Sequence, residues 1–276
     1  MTNKAISVIL FFFFTFISFS QEKIKGNKIV TIIETDVNDF NKIIVGEKFN
    51  ITLVKSDRPT VEIETDENLH DVIQFDVKDY TLTFKTTSKI TSKKKLNIRV
   101  KYAQELLSIE TKEDSDLSAV STIMSDTLVL KTYGNSKASF YLESQKFKLI
   151  NGEKSKVALN IKSSFIHLDL NENSKIEALI ISDSLQVNLN RSATAEIEGD
   201  INYLNISAIN SSNFKGKNLS AKTCDVLVQD TSDISIQVTE SLTIEATEKS
   251  KLSLYGNPKI IINKFTDTAQ LNKKEL

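Results

Sequence analysis

His167 and Asp169 stand two residues apart in the alternating run Phe165-Ile166-His167-Leu168-Asp169-Leu170, which places both on one face of a strand, about 7 Å apart along it. A His/Asp pair is the raw material of a general base. The matching positions in the neighbouring repeat units are Lys148/Ile150 and Gln186/Asn188, which bring neither a nucleophile nor a third ligand, so a solvated sheet face is the expectation. His70, in Asn68-Leu69-His70-Asp71, reads as a surface or packing residue. Glu110, Glu113, Asp114 and Asp116 form an acidic cluster, but the Gly- and Asp-rich nonapeptide that binds calcium in some solenoids is absent. Clustered carboxylates beside basic groups would suit polysaccharide cleavage, yet the three arginines, Arg58, Arg99 and Arg191, are scattered. Lys137, Lys156, Lys175 and Lys251 recur at one offset as an incomplete basic column, a candidate for anionic glycans or lipid headgroups. Glu153, Glu172, Glu177 and Glu248 cancel much of that field, so solvated lysines are the simpler reading. Tyr133, Tyr141, Tyr203 and Tyr255 are the candidate surface contacts for a ligand such as a sugar, although their unequal offsets define no single patch. No catalytic, metal-binding or cofactor-binding set emerges.

The chain that must position these groups has 276 residues, 40% of them hydrophobic and 26% charged, enough to bury one sizeable core. A formal net charge of −1 excludes a strongly basic nucleic-acid binder. One Cys, two His and no Trp leave no material for a disulfide framework, a structural zinc site or a tryptophan platform. Lys4, the apolar run Ala5 to Phe19 and Ser18-Phe19-Ser20 before Gln21 read as a signal peptide over residues 1–20, too short to span a bilayer. The mature chain contains no transmembrane helix. Cys224, alone in an exported chain, reads as a buried small hydrophobe.

A repeat governs residues 106–262. A small residue recurs at Ser115, Ser136, Ser155, Ser174, Ala193, Ser212, Ser232 and Ser250, at intervals of 18 to 21 residues. The positions eight and six before it are apolar in every unit, from Leu107/Ile109 to Leu242/Ile244, and those two and four after it continue the alternation. Each unit therefore holds two strands. Because the anchor keeps its chemistry from unit to unit, stacked coils are favoured over hairpins. The serines form a structural ladder along which hydroxyls can bond, in an all-β solenoid of about eight 19-residue coils. Residues 21–105 lack the anchor and read as a β-rich cap, with runs Phe49 to Val54, Thr60 to Glu64, Thr81 to Thr86 and Leu96 to Val100, and a short turn or helix at Asp66 to Ile73. Residues 263–276 read as a polar tail.

Phe40-Asn41-Lys42-Ile43, the alternation from Phe49 to Leu53, Val61-Glu62-Ile63, Asp66-Glu67-Asn68-Leu69 and Val77-Lys78-Asp79-Tyr80-Thr81-Leu82, with the ending Leu254-Tyr255-Gly256-Asn257-Pro258, resemble the head GIN domain family of bacterial auto-transporter adhesins. The resemblance implies a single-stranded, right-handed β-helix-like fold, a location in the periplasm, on the outer surface or outside a Gram-negative cell, and an adhesive, non-enzymatic role. It brings no catalytic residues. The expected function is an exported binding module, with a surface glycan, matrix protein or envelope component as partner. The alternatives are a periplasmic structural or lipid-associated envelope protein and, more remotely, a carbohydrate-active β-helix enzyme. Family repeats often place Gly beside the turn Ser, whereas here only Gly134 and Gly152 do so.

Overall fold

Two residues before each anchor the backbone turns left-handed. Glu113, Gly134, Glu153, Glu172, Arg191, Asn210, Asp230, Glu248 and Asp267 all have φ between 55° and 71°. A non-glycine residue there is strained, and this turn reverses the chain at one edge of every coil. The computed structural model describes residues 22–276, so the expected leader lies outside the described residues.

The repeat region comprises β10 (Ser108–Thr111), β11 (Asp116–Ala119), β12 (Ile123–Thr132), β13 (Lys137–Asn151), β14 (Lys156–Asn171), β15 (Lys175–Asn190), β16 (Thr194–Ala208), β17 (Asn213–Val228), β18 (Asp233–Ala246) and β19 (Lys251–Tyr255). Strands β13 to β18 are long because each wraps a corner. In β14 burial alternates from Val157 to Ser163, slips at Ser164 and Phe165, and resumes at Ile166, so two flat stretches face each other across the core. Every coil pairs in parallel with the next at equivalent positions, as in Val157↔Ile176 and Leu168↔Val187. Coils of about 19 residues stack into a β-solenoid of roughly nine turns. The apolar columns read from the repeat are buried, with two exceptions: Leu107 is 41% exposed while Leu106 takes the interior, and Ala119 is half-buried.

The N-terminal region holds β1 (Lys23–Lys25), β2 (Val30–Asp36), β3 (Lys42–Val45), β4 (Asn50–Lys55), β5 (Thr60–Asp66), a 3-10 turn at Glu67–Val72, β6 (Ile73–Lys78), β7 (Thr81–Thr86), β8 (Lys89–Ser92) and β9 (Leu96–Tyr102). It is more than a cap. Strands β3 and β4 form a coil of their own, in parallel register with β10 and β11, and Phe49 occupies the anchor position. Glu47 supplies its left-handed turn, with φ 54°. Beyond it lie β7 and β9, also parallel to β3 and β4. Antiparallel strands finish that end, β6 on β7, β5 on β9 and β2 on β5. The chain thus places 81–102 outside 42–55, and a bulky Phe in place of Ser hides this coil from a search for small anchors.

The segment read as a polar tail is corrected too. β20 (Lys259–Phe265) and β21 (Gln270–Lys273) complete a further coil on β18 and β19. Ala269 stands 19 residues after Ser250, but this outermost coil packs on one side only and carries fewer apolar residues.

Candidate functional site

The anchor serines stand in one buried column, and their hydroxyls close the turns. Ser155 Oγ donates to the Gly152 carbonyl at 2.6 Å and to the Thr132 carbonyl of the preceding coil at 3.1 Å. Ser212 does the same with Ile209 and Leu189, and Ser115 with Lys112 and Val45. Ser174 reaches the Asn151 carbonyl, Ser136 pairs with Thr111, and Ser232 approaches Ser212. The expected hydroxyl-to-hydroxyl ladder is therefore mostly a set of hydroxyl-to-carbonyl staples. Ser250 Oγ has no hydrogen-bond partner among the described residues. The strained residue two places earlier carries a second device. The Glu153 carboxylate accepts the N–H of Gly134 at 2.7 Å, Asp230 that of Asn210 at 2.8 Å, and Asp267 that of Glu248 at 3.2 Å. Each of these three acids thus satisfies the turn amide of the coil below.

His167 and Asp169 do meet, Nε2 to Oδ1 at 2.8 Å. Gln186 contacts His167 Nδ1 at 3.2 Å, Asn188 donates to Asp169 at 2.8 Å, and Lys148 lies 3.5 Å from its other oxygen. Burial pushes the Asp169 carboxyl upward, but the bonds from Asn188 and His167 outweigh it and hold the pKa low. No hydroxyl or thiol joins the histidine in this network. It is a polar brace across three coils. His70 bonds Thr31 at 3.0 Å. The acidic cluster is dispersed: Glu110 pairs with Lys112, Glu113 makes the turn, Asp114 accepts from Asn135, and Asp116 is half-buried at the start of β11. Among the described residues no group of three or more His, Cys, Asp or Glu converges as a metal site. Lys137, Lys156 and Lys175 are consecutive in register and exposed, with Lys251 far along the axis. Burial raises the Cys224 thiol far above its usual range.

The four tyrosines do not come together. Tyr133 is half-buried at the turn edge, and Tyr141 is exposed on the β4 face. Tyr255 shares that face far along the axis, with the Lys217 ammonium 5.3 Å from its ring centroid. Tyr203 lies beside the opposite corner, where its hydroxyl donates to Asp225 at 2.7 Å and its pKa is pushed up by that bond.

That corner carries a surface groove of about 800 Å³, crossing six coils from Met124 to Lys222. Its middle column is Ser125, Ser144, Ser163 and Ser182. These hydroxyls are spent on the corner itself: Ser182 donates to the carbonyls of Ser164 and Ser184, Ser163 to that of Phe165, and Ser144 to Ser163. The groups left to face a ligand flank them, namely Glu143, Lys162 and Asp200 on one side and Gln145, Ser164, Asp183, Asn202 and Lys222 on the other. Ser164 donates to Gln145 at 3.3 Å and Asn202 to Asp183 at 3.0 Å, which orders that row. Phe165 and Tyr203, 56% and 39% exposed, stand on one column beside the groove with Ser184 between them. Two coils separate the rings by about 10 Å. Sequence reasoning missed Phe165, although it and Tyr203 share an offset of nine residues before Ser174 and Ser212.

The family signature described as "Putative auto-transporter adhesin, head GIN domain" matches this sequence over residues 39–160 and 148–258. The chain belongs to the head GIN domain family. Solved structures share the fold of this head GIN domain. A "putative adhesin" from Parabacteroides merdae is 18% identical, with a TM-score of 0.61 over 92% of this chain and 99% of that one. A second "putative adhesin", from Parabacteroides distasonis, is 19% identical with TM-score 0.61, covering 92% and 100% of the two chains. A "putative lipid binding protein" from the same species is 16% identical, again with TM-score 0.61 and coverage of 92% and 100%. These identities establish the shared fold and nothing finer. No curated protein matches the sequence. No helix among the described residues of this head GIN domain is long and apolar enough to cross a membrane.

Proposed function

We propose that this protein is an exported, non-enzymatic adhesion module of the bacterial envelope that holds an extended, uncharged glycan along its corner groove. The observation that carries the reading is the pairing of Phe165 and Tyr203, two exposed rings on one column, with a parallel row of amide, hydroxyl and carboxylate groups repeating at about 4.8 Å. Aromatic faces stack on the apolar faces of pyranose rings, while fixed polar groups take their hydroxyls. The groove lines five carboxylates, Glu105, Asp126, Glu143, Asp183 and Asp200, against Lys55, Lys162 and Lys222, which disfavours polyanions. Export is supported by the leader-like N-terminus and by the family. The non-enzymatic reading rests on the family and on the brace-like role of His167 and Asp169.

A glycan array followed by calorimetry tests the binding. Loss of affinity in Phe165→Ser and Tyr203→Ser, with unchanged circular dichroism, is the expected result. Absence of any glycan bound at high concentration removes this reading. The P. distasonis neighbour named as lipid binding, together with exposed Met124, Phe165 and Ile181 near the groove, favours one alternative, a lipid-associated envelope protein. Co-sedimentation with vesicles of phosphatidylethanolamine and phosphatidylglycerol, lost in Ile181→Ser, would select it. Protease shaving of intact cells separates a surface location from the periplasm.

A further inference from the structure

Both ends of the solenoid show an apolar strand whose outer edge no described strand pairs. At the C-terminal end, Ile260, Ile262 and Phe265 of β20 continue the columns of buried Leu242, Ile244 and Ala246, yet they are 42%, 53% and 40% exposed. At the N-terminal end β2 pairs with β5 alone, leaving Ile32 and Ile33 62% and 48% exposed. The edges differ in charge, with Lys259 and Lys264 on β20 and Glu34 and Asp36 on β2. An open strand edge templates another strand, and opposite charge decides which one.

We propose that the two ends bind each other, so that β20 of one copy adds to β2 of the next, head to tail. A parallel register puts Ile260 opposite Thr31, Ile261 opposite Ile32 and Ile262 opposite Ile33. The irregularity already present after Ile262 then brings Lys264 beside Glu34 and Phe265 beside Thr35. Sidedness is kept: Ile262 follows the buried Ile244 column, and Ile33 lies opposite the buried Ile63. Glu34 already accepts from Lys101 and Thr60 at 2.8 Å each, and a carboxylate has room for a further donor.

The ends also match in outline. On the β4 face three strands, β9, β5 and β2, lie beyond β4, whereas on the β3 face only β7 and β6 lie beyond β3. At the other end β21, on the β4 face, is the last strand, and β20 lies half a coil below it. A half-turn of one copy about the solenoid axis seats protruding β2 on recessed β20 and protruding β21 on recessed β6. Such a heterologous contact repeats without closing. Edge lysines, which deter indiscriminate pairing, here select an acidic partner.

Sedimentation velocity of the purified protein over a concentration series tests this. The expected result is mass growing past two chains, weakened by salt. Ile262→Lys and Ile33→Lys each disable one end, so each alone stays at single-chain mass, and mixed together they form pairs and nothing larger. Lys264→Glu weakens growth, and mixing it with Glu34→Lys restores pairing, a charge-swap check that leaves the apolar residues intact. Melting curves identify any variant that fails to fold. Single-chain mass at every concentration overturns the proposal. So does a two-chain species that survives Ile33→Lys but not Ile262→Lys, which would mean pairing between like ends.

Discussion

At the scale of single residues, the turn edge sets two pH responses of opposite sign. The hydrogen bond that the protonated Glu248 carboxyl donates to Asp230, together with the Asp230 charge, raises the Glu248 carboxyl above its usual range. The folded form therefore holds that proton more firmly than the unfolded chain, and Glu248 favours folding in acid, an advantage lost as pH rises through the raised pKa. Glu248→Gln should melt higher than wild type at neutral pH, with the gap closing as the pH falls below the ordinary glutamate range. Asp66 behaves the other way. Its burial pushes the pKa up, but main-chain amides of Lys28, Lys94 and Lys95 outweigh that and hold it low. Its contribution is present above the ordinary aspartate range and is lost as pH falls through the lowered value. Asp66→Asn should lower the melting temperature at pH 7 and lose its effect in strong acid. Asp66 and Asn68, whose amide donates to the Lys25 carbonyl, show that the Asp-Glu-Asn-Leu segment of the family resemblance is a clamp for the N-terminal strands. At the anchors, Ser155→Ala removes one hydroxyl shared between the Thr132 and Gly152 carbonyls, both of which keep a main-chain donor, at a cost of about 0.5 to 1.5 kcal/mol. Ala193, at the same position, shows that the methyl itself fits. A denaturant titration reads the difference.

At the scale of elements, the two-strand unit was legible because its apolar columns repeat without interruption. Leu168→Ala, in the second flat stretch of β14 and fully buried, should cost about 2 to 5 kcal/mol, measured by the same titration. Gly199 has φ 120°, and a Cβ there would collide with the Ile180 carbonyl of the coil below. Gly199→Ala should therefore destabilise by about 1 to 3 kcal/mol. The β3–β4 coil and the β20–β21 coil were not legible as coils. In the first, Phe49 replaces the small anchor, and the chain order is broken by 81–102 inserting on its far side. In the second, the outward and inward positions lose contrast because no described strand packs above them. The groove was half legible: Tyr203 was singled out, while its companion Phe165 sat unnoticed in the same run as His167. A His/Asp pair at alternate positions has a recognisable chemistry in sequence, whereas a single Phe in an apolar run does not. In the sequence the corner serines Ser144, Ser163 and Ser182 read only as polar connections that close each unit, because the more regular anchor column accounts for the repeat.

At the scale of the whole molecule, stability is distributed from neighbour to neighbour, since each coil touches only the coils beside it. Native-state hydrogen exchange should show slow amides in β13 to β17 and fast ones in β20 and β21, the strands at the end. Uniform protection along the axis would contradict this. The groove lies over the slow coils, so a ligand there meets a rigid row of side chains and pays little to order them.

The ladder hydrogen bonds run along the solenoid axis, and the first and last described strands lie at opposite ends of it. A tether pulled from both termini would load those bonds in line and break them a few at a time, one coil after another. Each 19-residue coil that peels away lets out about 65 Å of chain in exchange for one rung of about 4.8 Å. Attached at one end and gripping through its side, the rod would lengthen stepwise under drag before the grip itself carried the full force.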